Sequence, residues 1–284
     1  MNKNSNCASC LVFNMNKVIK SNKNMKPTWL SEKDYVSEFI NKQQNTNIRS
    51  PDPYDTEMEL HLEDNFRNKK LLYWAAESSS SFLVKDAKKA YGNFKNSGIV
   101  KVKDNGDVLF KFRCPQVYSA IRKNEKIPHT FFKHLHFVVF DEKEKKWDDQ
   151  IYTKIVICRY NYKKTMEFLN TGYYVLINAL PCNYYAKDHI PNSYNLFYKQ
   201  VKKMTTQELL EWFSDIVRIH YPLLNDLVKK KKIDLYEIPI ITYCANHTCK
   251  AAEYTLEELM KKGFVNVGEY TGGINEYRKY NKHD

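Results

Sequence analysis

A chain of 284 residues, 43% of them hydrophobic, is long enough for about two packed domains and too apolar for a disordered polymer. The formal net charge of +12 is spread along the chain, and its one dense run, Lys229-Lys230-Lys231-Lys232, reads as a solvated helix end, so a nucleic-acid surface is not expected. No apolar run reaches the roughly 18 residues of a membrane span, and the first residues lack a signal-peptide core, which reads as a cytoplasmic protein with no membrane association.

Residues 1–55 are polar and weakly periodic, the pattern of a mostly flexible arm. Within it, residues 29–40 can form one short helix, with Ser31 as a cap and Tyr35, Phe39 and Ile40 on one face. Cys7-Ala8-Ser9-Cys10 has no second pair and no nearby His, so it reads as incidental rather than as a zinc or redox site. The seven cysteines are odd in number and scattered, which argues for reduced thiols.

Across residues 56–160 the apolar period is two. Strands are expected at 71–74, 98–102, 108–112, 136–140 and 151–157, with Asp104-Asn105-Gly106-Asp107 as a hairpin turn. Short strands separated by turns predict an antiparallel β-sandwich. His134-Leu135-His136 begins one strand, and residues at i and i+2 share a strand face, so both imidazoles can reach one metal ion.

From residue 161 the pattern alternates between helix and strand. A helix at 163–170 precedes a strand at 174–178. Thr205 and Glu208 form a capping box that opens a long amphipathic helix. Ile238, Ile240, Ile241 and Tyr243 form a buried strand, and Ala252, Leu256, Leu259 and Met260 share the face of a helix that ends at Gly263. A strand at 264–267 and a helix from 273 follow. The alternation predicts a parallel sheet, so the fold class is an antiparallel β-sandwich followed by an α/β domain with a central parallel sheet. The domains are residues 1–55 (arm), 56–160 (sandwich) and 161–284.

Cys244 sits where the 238–243 strand hands over to a helix N-terminus. Free N–H groups and the helix dipole converge there, which predicts a lowered thiol pKa and a nucleophilic thiolate. The alternative is a buried structural cysteine.

The segment 238–252 resembles the active-site loop of rhodanese-like sulfurtransferases, in the subgroup with a second loop cysteine, here Cys249. Tyr174-Val175-Leu176-Ile177-Asn178, His189-Ile190-Pro191-Asn192-Ser193-Tyr194-Asn195 and Thr271-Gly272-Gly273-Ile274-Asn275-Glu276-Tyr277 resemble that family's other landmarks in order, over roughly 163–284. Asn178 stands where Asp is usual, Leu180 where Arg is common and Tyr277 where Trp is common. The resemblance implies a thiosulfate-type sulfurtransferase that carries sulfur as a Cys244 persulfide to a thiol or cyanide and requires no cofactor. The backbone of Ala245, Asn246, His247, Thr248, Cys249 and Lys250 would cradle the persulfide. His247 and Lys250 would favour a small anionic donor, while a thiol accepts the sulfur. Cys249 is either a resolving thiol or a small residue of the helix cap. A phosphatase would need Arg where Lys250 stands. A non-catalytic module of the same fold is the remaining alternative.

Residues 56–160 are similar, more weakly, to the sandwich of intradiol (catechol-type) dioxygenases. The points of likeness are Leu72-Tyr73-Trp74-Ala75, the Asp104–Asp107 turn leading to Phe110, Pro115-Gln116-Val117-Tyr118 and His134-Leu135-His136-Phe137. That likeness implies iron(III) held by Tyr118, His134 and His136. The second Tyr position falls near Phe82, so Tyr91 would have to substitute from a shifted loop. Phe131 and Phe132 replace the substrate-side Arg. The alternative is a transthyretin-like sandwich with ordinary rim histidines.

Overall fold

The computed structural model describes residues 17–20, 35–79, 83–121 and 126–281. Phe82, Cys7, Cys10 and most of the expected N-terminal arm lie outside these residues. The chain divides into two compact units, Met1–Val156 and Ile157–Asp284.

In the first unit, β1 (Ile19–Lys20), β3 (Lys70–Ala75), β5 (Ser97–Lys101), β9 (His134–Asp141), β10 (Lys146–Trp147) and β11 (Tyr152–Ile155) form one antiparallel sheet, ordered β1-β11-β9-β3-β5 with β10 paired to β9. β2 (Thr56–His61) pairs antiparallel with β6 (Asp107–Phe112). β4 (Lys85–Asp86), β7 (Tyr118–Ile121) and β8 (Pro128–Phe131) make a third sheet, with β4 and β7 parallel.

The period of two in β3 and β9 creates two apolar faces. On one, Tyr73 and Phe137 meet Phe110 of β6 at ring separations of 5.3 and 5.8 Å. On the other, Leu72, Trp74 and Val138 pack with Val36, Phe39 and Ile40 of α1 (Val36–Asn41) and with Tyr91 of α2 (Ala87–Tyr91). Residues 35–41 of the expected arm are therefore core, because three large apolar side chains on one helical turn bury more area than an unstructured segment could. Gly98 lies opposite Tyr73 in the β3–β5 ladder, and a Cβ there would collide with the Tyr73 hydroxyl and the Arg49 carbonyl.

Two strand expectations change. The turn at 104–107 forms, but it joins no hairpin ladder: β5 pairs with β3, whereas β6 crosses to β2. The expected strand 151–157 is shorter, since β11 ends at Ile155 in the first unit's sheet, and a further strand, β12 (Cys158–Tyr160), belongs to the second. The boundary thus falls at 156/157. Cys114 and Cys158 are each in a disulfide, against the expectation of reduced thiols throughout, while Cys182, Cys244 and Cys249 are free.

The second unit is built on a five-stranded, wholly parallel sheet ordered β12-β16-β15-β13-β14, from β12, β13 (Val175–Asn178), β14 (Tyr194–Asn195), β15 (Ile240–Tyr243) and β16 (Val267–Tyr270). Its helices are α3 (Tyr162–Leu169), α4 (Cys182–Tyr185), α5 (Tyr198–Lys203), α6 (Thr206–His220), α7 (Pro222–Lys229), α8 (Ala251–Lys261) and α9 (Gly273–Tyr280). The Thr205–Glu208 capping box forms as expected and starts α6. The last strand starts three residues later than expected, at Val267, so Glu269 becomes a buried member of the sheet.

Candidate active site and a second polar cluster

Four segments fix Cys244. β15 delivers it at the C-terminal edge of the sheet, and α8 begins at Ala251. The first turn of α9 holds the loop from behind: Ile274 N–H donates to the Cys244 carbonyl and Asn275 N–H to that of Ala245, both at 3.0 Å. Gly273 permits this approach, with φ of +61° and no Cβ to strike the Cys244 and Ala245 backbone. Tyr243 ties in the 189–193 turn, since its hydroxyl accepts from Ile190 N–H at 2.9 Å and contacts Ser193 Oγ at 2.8 Å. Ala179, Leu180, Cys249, Ala251 and Ala252 pack around Cys244, which is buried.

The loop is less of an N–H nest than expected. Thr248 N–H donates to Asn246 Oδ1 and Cys249 N–H to the Asn246 carbonyl. The N–H groups of Ala245, Asn246, His247 and Lys250 make no hydrogen bond among the described residues. The Cys244 thiol donates to the Cys249 carbonyl at 3.1 Å, with the Asn246 carbonyl at 3.8 Å.

Burial therefore pushes the Cys244 thiol up to about 12, and the Cys249 thiol and Glu269 add to the rise, while the Ala252 N–H opposes it. This corrects the expectation of a lowered pKa. Desolvation, with the Cys249 thiol and Glu269, outweighs one N–H at the helix start. Lys250 does not relieve it, because its ammonium lies 2.9 Å from Glu253 Oε2. Arg159 on β12 is held 3.1 Å from Glu269 and 3.6 Å from Glu253. Sequence reasoning missed Glu269, Glu253 and Arg159. A charged residue amid Val267, Gly268 and Tyr270 was the available signal for the first.

In the first unit, four side chains meet. Tyr118 Oη is 2.9 Å from His134 Nε2, Tyr91 Oη is 3.3 Å from both of these atoms, and His136 Nε2 is 3.1 Å from His134 Nε2. All four are buried. His134 Nδ1 lies 2.6 Å from the Phe132 carbonyl, which can only accept, so a neutral His134 carries its proton there and turns a lone pair toward the cluster. His136 Nδ1 contacts Thr153 Oγ1 at 2.8 Å. Burial lowers His134 to about 4, holds His136, with His134 beside it, well below the ordinary imidazole range, and raises both tyrosines. Trp74, in register with His136, has a buried indole N–H without a partner among the described residues. No group of three or more His, Cys, Asp or Glu side chains suited to a metal occurs among the described residues, so the set is two imidazoles and two phenols.

A family model for the rhodanese-like domain matches residues 161–280. Residues 161–280 are a rhodanese-like domain. Solved structures similar to this chain include an uncharacterised protein from Saccharomyces cerevisiae, with 18% identity over 44% of this chain and 93% of that one at a TM-score of 0.32. The human single-domain sulfurtransferase TSTD1 is similar at 13% identity, over 45% of this chain and 100% of that one, with a TM-score of 0.32. The single-domain sulfurtransferase RDL2 of Saccharomyces cerevisiae is similar at 14% identity, over 44% and 92% respectively, also with a TM-score of 0.32. No curated protein matches the chain.

Proposed function

We propose that the rhodanese-like domain is a sulfurtransferase that carries sulfane sulfur as a persulfide on Cys244 and gives it to a thiol. The supporting observation is the position of Cys244 at the β15–α8 junction, clamped through its own carbonyl by α9. The thiol must first lose its proton, because burial holds it protonated at neutral pH. Its thiolate then attacks the outer sulfur of the donor. The persulfide anion would be held by the Ala252 N–H and by the unclaimed N–H groups of Ala245, Asn246, His247 and Lys250. A phosphatase reading is disfavoured, since Lys250 offers no bidentate guanidinium and is already paired to Glu253. A non-catalytic module would bind partners without loading Cys244. The test is mass spectrometry after exposure to thiosulfate, with cyanide as acceptor: an adduct of about +32 Da (one sulfur atom) on the Cys244 peptide supports transfer, and its absence with every donor supports the module.

A second reading concerns the first unit, proposed as a sandwich-like pairing of its sheets around an iron(III) site. The convergence of Tyr91, Tyr118, His134 and His136 favours it. The donors fit the ion: each imidazole makes an outer contact through Nδ1, and two Nε2 atoms and two phenol oxygens face one point. Iron(III) prefers hard phenolate and imidazole donors and would supply Lewis acidity and a tyrosinate charge-transfer absorption there. Colourless protein that retains no iron after loading and desalting would end this reading. Among the described residues no helix is long and apolar enough to cross a membrane.

A further inference from the structure

The second unit holds a cavity of about 520 Å³ that no residue of the 244–250 loop lines. Its walls come from turns that the sequence imposes. Proline at position 222 cannot continue α6, so the chain turns at Tyr221 before α7 begins. Asn192 turns the chain in the left-handed region, at φ +61°, just ahead of β14. Tyr194, His220 and Tyr221 form one wall, and Tyr174, next to β13, and Tyr277 of α9 also line the space. The rings are fixed before anything enters. The Tyr194 ring lies 5.3 Å from His220 and 6.2 Å from Tyr221, and one face of Tyr174 is stacked on Phe168 at 4.4 Å.

The lining selects its ligand by charge and by shape. No Lys, Arg, Asp or Glu lines the cavity, although 27% of the chain is charged, so an ion entering it would shed water and gain no counter-charge. The Tyr174, Tyr194 and Tyr277 hydroxyls make no hydrogen bond among the described residues. Burial raises all three phenols, which keeps them protonated and able both to donate and to accept. An aliphatic chain would leave those hydroxyls unused, whereas a flat ring with polar edge atoms offers a face to the aromatic wall and partners to the hydroxyls. The volume lies within the roughly 300–1,000 Å³ of small-molecule sites, which leaves room for a ring and one uncharged substituent. We propose that this cavity binds an uncharged, planar heteroaromatic molecule of about nucleoside size, stacked on the Tyr194–His220–Tyr221 wall and hydrogen-bonded by the Tyr174 and Tyr277 hydroxyls. The site stands apart from the Cys244 persulfide reading and does not depend on it.

The experiment is calorimetric titration of the full chain, without any sulfur donor, by adenosine, guanosine, cytidine, uridine and riboflavin. At least one should saturate a single site with a Kd of about 100 µM or tighter. Its 5′-monophosphate should bind at least about tenfold more weakly, and tetramethylammonium, the probe for a cation held by ring faces, more weakly still. Tyr194→Ala removes a stacking ring and should cost at least about tenfold in affinity. Tyr174→Phe keeps the stack on Phe168, removes one hydroxyl and should cost about three- to tenfold. Leu223 lines the cavity and is 52% exposed, so Leu223→Arg is tolerated by the fold and supplies the missing cation. That variant should narrow or reverse the preference against the monophosphate. Saturation by none of the five compounds up to about 1 mM overturns the proposal. So does tighter binding of tetramethylammonium or of the monophosphate to the unsubstituted protein, or affinity unmoved by both tyrosine variants. The comparison of neutral and charged probes needs no variant and holds should a substituted chain fail to fold.

Discussion

The Cys244 loop and the Tyr91–Tyr118–His134–His136 cluster are both buried and polar, and they are assembled in opposite ways. The loop is continuous chain, running from β15 through residues 244–250 into α8, and α9 only locks it from behind. The cluster is gathered from α2, β7 and β9, one helix and strands of two different sheets. A local site tolerates change in its surroundings, because its geometry is set by its own backbone. A site assembled from distant segments depends on every strand register that brings them together. Substitutions that test each site should differ accordingly.

The largest effect should be Cys244→Ser. Serine keeps the shape but cannot carry a persulfide, so adduct formation and thiocyanate production should fall by at least about a thousandfold. The four-residue cluster and the first unit's stability should be untouched, checked by iron binding and thermal melting. Retained activity in this variant would reject the mechanism.

Next comes Tyr91→Phe, which removes one phenol oxygen and keeps the ring packing against Phe94 and Tyr118. If iron(III) sits there, its affinity should fall by at least about tenfold and the charge-transfer band should shift. Unchanged colour and affinity would remove Tyr91 from the ligand set and leave Tyr118, His134 and His136.

Tyr91 also shows where sequence reading reaches its limit. His134 and His136 are two apart on one strand, so their shared direction follows from the pleat alone. Tyr118 came from a family likeness, and the structure does bring it to His134. Tyr91 could be named only as a substitute, because its approach depends on how α2 packs on Trp74 and Phe94, a long-range fact with no local signature. In the second unit, the alternation of strand and helix and the order of the four landmarks made the parallel sheet legible. The electrostatics were not. The expectation of a low thiol pKa counted the N–H groups of the helix start and could not foresee the burial of the sulfur beside the Cys249 thiol, nor the place of Glu269 in a buried strand position. The failed hairpin has the same origin: the turn is local and forms, while the choice of partner strand is not.

The glycines compare the two units directly. Gly273→Ala forces a side chain into positive φ against the Cys244 and Ala245 backbone, and should cost the second unit about 1–3 kcal/mol and loosen the loop. Gly98→Ala strains the first unit by collision with Tyr73, at a similar cost of about 1–3 kcal/mol. Denaturant melts followed by unit-specific probes, together with Cys244 loading, should show activity lost in the first variant and kept in the second.

A smaller effect follows from charge. Because burial raises the Cys244 pKa, the thiolate is the minor form at neutral pH, and its fraction should rise about tenfold per pH unit from roughly pH 7 to 10 without a plateau. The rate of iodoacetamide modification at the Cys244 peptide should follow that slope. Glu269→Gln removes a charge that raises the pKa, so the profile should move to lower pH and the rate at a given pH should increase about two- to fivefold. A plateau near neutral pH would mean that the loop opens and exposes its N–H groups to the sulfur.

The smallest effect should be Cys249→Ser, and it separates a loop that works through its backbone from one that works through two thiols. Cys249 meets Cys244 in two ways. Its carbonyl accepts the Cys244 S–H at 3.1 Å, and its own thiol helps to raise the Cys244 pKa. The substitution keeps the first, along with the Cys249 N–H donated to the Asn246 carbonyl, so the loop conformation should persist. It replaces the thiol with a hydroxyl that can still donate to a thiolate or persulfide at the neighbouring sulfur. The direct loss is therefore one soft neighbour, and single-turnover loading of Cys244 should stay within about threefold of the unsubstituted protein. Turnover with a thiol acceptor should change as little, provided Cys249 takes no part in releasing the sulfur. Normal loading with turnover abolished would identify Cys249 as the thiol that attacks the Cys244 persulfide, closing a Cys244–Cys249 disulfide and expelling hydrosulfide. That disulfide would be detectable in the unsubstituted protein by non-reducing peptide mapping after a single turnover, and its absence there would return Cys249 to a purely structural place in the loop.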